Sequence, residues 1–121
     1  MLIELQHKDG ICTLRLQGRL VEGIDFETLQ AKSDEIKKTG CSKVLADLAQ
    51  VSAIGSTGIG LIVGIYTSVT RNPDGRFVLV GAQKRVREVF EITRLSTIIP
   101  MAADQDAGIA VLRGGAHAAR P

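Results

Sequence analysis

Asp47–Tyr66, DLAQVSAIGSTGIGLIVGIY, is the stretch whose reading decides how this chain folds. It is entered through Lys43–Leu48 (KVLADL), a short apolar run suited to a strand buried on both faces. A polar link through Gln50 and Ser52 follows, and then the small-residue string Gly55-Ser56-Thr57-Gly58. From there an apolar helix is predicted to about Arg71, where Asn72-Pro73-Asp74-Gly75 breaks it as a turn. At about 100° per residue, Ile59, Ile62, Val63, Tyr66 and Val69 share one face, expected to be the core face. The opposite face then holds Thr57, Gly60, Leu61, Gly64, Ile65 and Ser68, with no Lys or Glu.

The same alternation extends outward. Leu2, Ile3 and Leu5, the turn signal Asp9-Gly10, and the period-two run Ile11–Leu16 read as an antiparallel hairpin. From Asp25 the period lengthens, with Phe26, Leu29, Ser33 and Ile36 on one helical face. Asp25 suits the cap at its start and Gly40 the left-handed residue at its end. Arg76–Val80 (RFVLV) reads as a buried strand, and Lys84–Thr93 as a helix with Val86, Val89 and Phe90 inward. A short strand over Thr97–Met101 and a helix over Asp104–Leu112, with Ala107 and Val111 inward, complete the pattern. A hairpin followed by alternating strands and helices predicts one α/β domain with a mixed, mostly parallel sheet and right-handed crossovers. Residues 1–112 form that domain, and 113–121, rich in Gly, Ala and Arg, are expected to be a disordered tail.

Composition narrows the function. The 121 residues suit one core, and a net charge of only +2 gives no field for nucleic acid. One Tyr, three Phe and no Trp supply no platform for stacking bases, so direct nucleic-acid binding is not expected. The longest apolar stretch, Ile59–Tyr66, falls well short of the roughly 20 residues a membrane span needs. With no signal-peptide core at the N-terminus, the expected compartment is the cytoplasm. Cys12 and Cys41 are far apart in sequence and lack adjacent ligands, so no metal site is expected; Cys12 reads as a buried free thiol. His7 and His117 are the only histidines, and neither is placed to activate Ser56, so the chain is not expected to be an enzyme.

The central stretch resembles the STAS domain, shared by sulfate transporters and bacterial anti-sigma factor antagonists. The resemblance rests on Asp47-Leu48 at a strand end and Gly55-Ser56-Thr57-Gly58-Ile59-Gly60 at a helix start. It continues from the hairpin through Gly18-Arg19-Leu20 to Val86, Phe90 and Leu95. In the antagonists, the serine matching Ser56 is phosphorylated by a partner that is both kinase and anti-sigma factor. The resemblance therefore implies a phosphorylation site at Ser56, with Thr57 as a second candidate. It further implies an anti-sigma factor with serine kinase activity as partner, a phosphatase as a second one, and no cofactor in the protein itself. The family's usual Asp before that serine is Gly55 here.

Elementary chemistry is compatible with such a switch. A helix's first turn offers unpaired amides and partial positive charge, which a phosphate on Ser56 can use. A partner packed over Ser56 would have to desolvate about 1.5 to 2 added charges. The bland reading makes Ser56 only an N-cap, worth roughly 1 kcal/mol. The expected docking surface is Gly55, Ser56, Thr57, Gly58, Gly60, Leu61, Gly64 and Ile65, with Leu61 as anchor and Gly23 in the preceding loop. Its competitor is that this helix face packs inside the domain. Nucleotide binding at the Gly-rich loop is a minor alternative, since the loop lacks a P-loop Lys. The functional alternative is a STAS module that is never phosphorylated and binds a ligand or serves a transporter, which Gly55 favours.

Overall fold

The computed structural model describes residues 2–20 and 26–114. The expected cap Asp25, the loop residue Gly23 and residues 115–121, including His117, lie outside the described residues. So do the side chains of Phe26, Leu29 and Ser33. Strand β1 (Leu2–Lys8) pairs antiparallel with β2 (Ile11–Leu20), joined by Asp9 (φ 54°) and Gly10 (φ 78°). Two consecutive left-handed residues are what a two-residue hairpin turn of matching twist requires. Helix α1 (Phe26–Thr39) ends at Gly40 (φ 69°), as its sequence predicts.

Strand β3 (Lys43–Ile54), helix α2 (Ser56–Thr70), strand β4 (Arg76–Val80) and helix α3 (Lys84–Ile92) follow. A 3-10 turn (Leu95–Thr97), the two-residue strand β5 (Met101–Ala102) and helix α4 (Gln105–Leu112) close the domain. The sheet order is β1-β2-β3-β4-β5, with β2 through β5 parallel to one another. Because side chains alternate along a strand, the sheet builds two cores. Cys12, Leu14, Leu16, Val44, Ala46, Leu48, Phe77 and Leu79 cluster with Ile36 of α1, Leu61 and Ile62 of α2, and Val86 and Phe90 of α3. On the other face Ile11, Leu45, Val78 and Val80 meet Leu112 of α4.

Three sequence expectations change here. The segment read as a polar link is strand: β3 continues to Ile54 because its second half pairs with Gln17–Leu20 of β2. The alternation was present in the sequence, since Val51 is buried between exposed Gln50 and Ser52. Pairing of β3 with β4 stops at Asp47–Val80, so the end of β3 runs past the rest of the parallel sheet. In α4, Ala107 is exposed, and Gly108 and Leu112 face the sheet instead. A Cβ on Gly108 would sit 3.1 Å from Leu45 Cδ1 and closer still to Val80, so the helix docks through its glycine. The strand expected over Thr97–Met101 shrinks to Met101–Ala102, preceded by the 3-10 turn.

Candidate functional site at the start of α2

The end of β3 delivers the chain to Gly55, the N-cap of α2, whose backbone is extended (φ −125°, ψ −168°). Its amide donates to Leu20 O at 2.8 Å, tying the helix start to the end of β2. Ser56 is the first helical residue and not the cap, which corrects the capping role read from sequence, and Gly55 brings no side chain to serve it. The first intrahelical bond runs from Ile59 N to Gly55 O at 2.9 Å. The amides of Ser56, Thr57 and Gly58 therefore precede the helical ladder, and their partial positive charge faces the N-terminal end. No acidic residue stands in that first turn to occupy them.

Ser56 and Thr57 are exposed, whereas Gly58 is buried. A Cβ on Gly58 would lie 2.7 Å from Leu20 Cβ and 2.8 Å from Ile54 Cγ1. Glycine there lets the first turn seat directly on the β2–β3 pair, which holds the exposed Ser56 at the rim.

The two faces of α2 are rotated from the sequence expectation. Leu61 (2% exposed) and Ile65 (1%) belong to the core with Ile62 and Val69, while Ile59, Val63 and Tyr66 are only half-buried. Leu61 is thus no exposed anchor, and Ile65 no surface contact. The buried set is Gly58, Leu61, Ile62, Ile65 and Val69, which is also a valid i, i+3, i+4, i+7 stripe. An all-apolar helix contains several such stripes, and the sheet selects one. Gly60 and Gly64 stay exposed, and a Cβ at either would meet nothing within 4 Å. These two glycines therefore do not exist for close packing inside the domain. With Ser56 and Thr67 they form a smooth, uncharged, exposed strip along the helix.

Asp47 stands elsewhere. It sits seven residues before Ile54 along β3, accepts from Ala49 N at 2.9 Å and pairs with Arg15 at 3.5 Å. It closes the β3–β4 pairing and does not bond the loop near Gly55. The basic residues Lys84, Arg85, Arg87 and Arg94 are all exposed around α3, with Arg87 facing Glu91 at 4.0 Å, a solvated helix surface. No helix among the described residues is long and apolar enough to cross a membrane.

One grouping was missed by the sequence reading. His7, Cys12 and Cys41 come together with their ligand atoms all within 4.8 Å of one another. His7 and Cys12 flank the Asp9-Gly10 turn, and that symmetry was a legible sign that they pair across the hairpin. Nothing local places Cys41 beside them, because α1 intervenes.

Comparison with known proteins matches the geometry. Residues 3–107 match the model of the STAS domain. A Bordetella bronchiseptica protein named as an anti-sigma factor antagonist, BtrV, is 29% identical over 113 residues, covering 93% of this chain and 96% of its own. The crystal structure of a Thermotoga maritima protein, also named as an anti-sigma factor antagonist, superposes with a TM-score of 0.75. It is 22% identical and covers 92% of this chain and 94% of its own. The antagonist SpoIIAA in its unphosphorylated form gives a TM-score of 0.69 at 22% identity, covering 93% of this chain and 99% of its own. The matched span and the superposed architecture agree: the chain belongs to the STAS domain family.

Proposed function

We propose that this protein is a partner-switching regulator that docks an anti-sigma factor over the start of α2 and releases it when Ser56 is phosphorylated. The observation that carries this reading is the pairing of an exposed Ser56 at a helix N-terminus with an uncharged strip through Gly60 and Gly64. The partner is an anti-sigma factor with serine kinase activity, and a phosphatase resets the switch in the cytoplasm. Thr57, exposed beside Ser56, is the second acceptor hydroxyl.

Physical chemistry gives the switch its sign. A phosphate on Ser56 adds about 1.5 to 2 negative charges next to amides that favour them, so the fold tolerates it. A partner surface laid over the strip would have to strip water from those charges, a cost of several kcal/mol when they face no cation. Docking is lost and folding is not.

The test is to incubate the protein with its cognate anti-sigma kinase and ATP and locate the phosphate by mass spectrometry. Phosphate on Ser56, absent in Ser56→Ala, supports the reading; no phosphate on Ser56 or Thr57 removes it. Partner affinity then separates surface from core. Ser56→Asp and Gly64→Lys are expected to weaken binding by on the order of tenfold or more without lowering the melting temperature, which Gly64→Lys should raise slightly through helix propensity. Leu61→Lys is unsuitable for this purpose, because a buried Lys would unfold the core.

One observation favours a second reading. Gly55 stands where the family resemblance implies an Asp, and a kinase that engages such a carboxylate would not recognise this chain. The protein would then be a STAS module that binds its partner or ligand without phosphorylation. Gain of phosphorylation in Gly55→Asp alone would select this alternative.

A further inference from the structure

At the end of the sheet far from Ser56, three metal-binding side chains converge. His7 and Cys12 are direct cross-strand partners in the β1–β2 hairpin. Cys41 enters from the α1–β3 junction and lies against the hairpin turn, its Sγ 3.1 Å from Gly10 O and 3.0 Å from Lys43 O. Imidazole nitrogen and both sulfurs lie within 4.8 Å of one another. Small side-chain rotations suffice to bring all three to the 2.0–2.3 Å that nitrogen and sulfur keep from zinc.

We propose that His7, Cys12 and Cys41 form a binding site for one thiophilic d10 cation, Zn²⁺ or Cu⁺. The donor set names the class of ion. Two sulfurs and an imidazole with no carboxylate suit soft and borderline cations, and do not suit Mg²⁺ or Ca²⁺. Burial is graded across the cluster: Cys12 is buried, Cys41 half-buried and His7 exposed. The ion therefore has a route from solvent and a floor that is closed, with a fourth position left for water.

Thr39 organises the sulfurs. Its hydroxyl donates to Ile36 O at 2.7 Å and accepts from Cys41 N at 3.1 Å. With its one hydrogen spent, it accepts from the Cys12 S–H, 3.3 Å away. One side chain thus positions both ligands, as outer-shell groups do in metal sites. In the metal-free chain the Cys12 sulfur keeps its proton, donated to the Thr39 hydroxyl. A cation can replace that proton. Binding converts two thiols to thiolates and releases two protons to solvent for each ion bound, with no oxidant required.

The consequence is a clamp. Bound metal would tie the hairpin turn to the α1–β3 junction, reinforcing the Cys41 Sγ bond to Gly10 O, the Cys12–Thr39 bond and the β2–β3 pairing that already join them. The site is independent of the switch, since Cys12 lies eight positions along β2 from Leu20 at the α2 end.

The experiment uses the untagged full chain, reduced and stripped of metal, titrated with Zn²⁺ against a chromophoric chelator and with Co²⁺ read by thiolate charge-transfer absorption. One equivalent of Zn²⁺, a thiolate-to-cobalt band and a raised melting temperature are expected. Cys41→Ala and His7→Ala, both at positions outside the buried core, should each weaken Zn²⁺ binding at least about tenfold while retaining the native far-ultraviolet spectrum. Binding that survives both substitutions, carried by His117 for example, would overturn the proposal. So would a Co²⁺ complex without the thiolate band, or a Cys12–Cys41 disulfide whose reduction restores no Zn²⁺ affinity.

Discussion

Gly58, Gly60 and Gly64 lie within two turns of one helix and answer to different physics. Gly58 is required by space: any Cβ there would collide with Leu20 and Ile54. Gly58→Ala should therefore cost about 1–3 kcal/mol through overpacking. Gly64 faces open solvent, so Gly64→Ala should stabilise the fold by about 0.8–1 kcal/mol through helix propensity alone. Denaturant midpoints compared for the two variants check the opposite signs. A helix that keeps an unneeded glycine on its surface gives up stability there, as expected if flatness serves contact. Cys12 offers a second check at this scale. Its folded-state thiol titrates near 11, above the ordinary value of 9.0, mainly because it is buried. The unfolded chain therefore loses this proton first as pH rises. The resulting stability is fully present below about pH 9 and disappears toward pH 11. The groups beside the sulfur are Thr39, His7 and Cys41. Cys12→Ala should flatten this part of the stability–pH curve relative to the unsubstituted protein.

At the scale of elements, α2 shows how a helix can be placed by its ends. Its start is held by the Gly55 amide on Leu20 O and by the seat under Gly58. The cap itself is weak, because Gly55 offers no acceptor for the first-turn amides. The backbone there is extended and fits any residue. Gly55→Asp should add a capping acceptor and a favourable charge at the positive helix end, raising stability by a few tenths to about 1 kcal/mol. Thermal unfolding measures this, and the same variant reports on kinase recognition. Helix α4 is the contrasting case, with Asp104 accepting from Ala107 N at 2.9 Å in a complete side-chain cap.

For the whole molecule, β2 and β3 act as a long beam with chemistry at both ends. Cys12 pairs beside Val44 at one end, and Leu20 beside Ile54 at the other, next to the phosphorylation candidate. Eight residues of strand span roughly 26 Å, several times the distance over which substitutions ordinarily couple. Ser56→Asp and His7→Ala should accordingly be additive in stability to within about 0.5 kcal/mol in a double-mutant cycle. A larger deviation would mean that the two ends communicate through the sheet.

Order and type of the main elements were legible in the residues alone. Asp9-Gly10 specified the hairpin, period-two runs the strands, Gly40 the end of α1 and Asn72–Gly75 the end of α2. The helix start at Gly55–Gly58 was legible too, because small residues after a strand mark it wherever the chain lies. What the residues left open was direction. In α2 nearly every position is apolar or small, so hydrophobicity could not say which stripe faced inward, and burial of Leu61 and Ile65 was decided by the sheet they meet. The length of β3 was settled likewise by a partner strand far away in sequence. Cys41 comes to rest beside His7 and Cys12 only through the packing of α1 and β3 against the hairpin. Local pattern determines what a segment is; which of its sides is spoken for depends on neighbours that only the folded chain supplies.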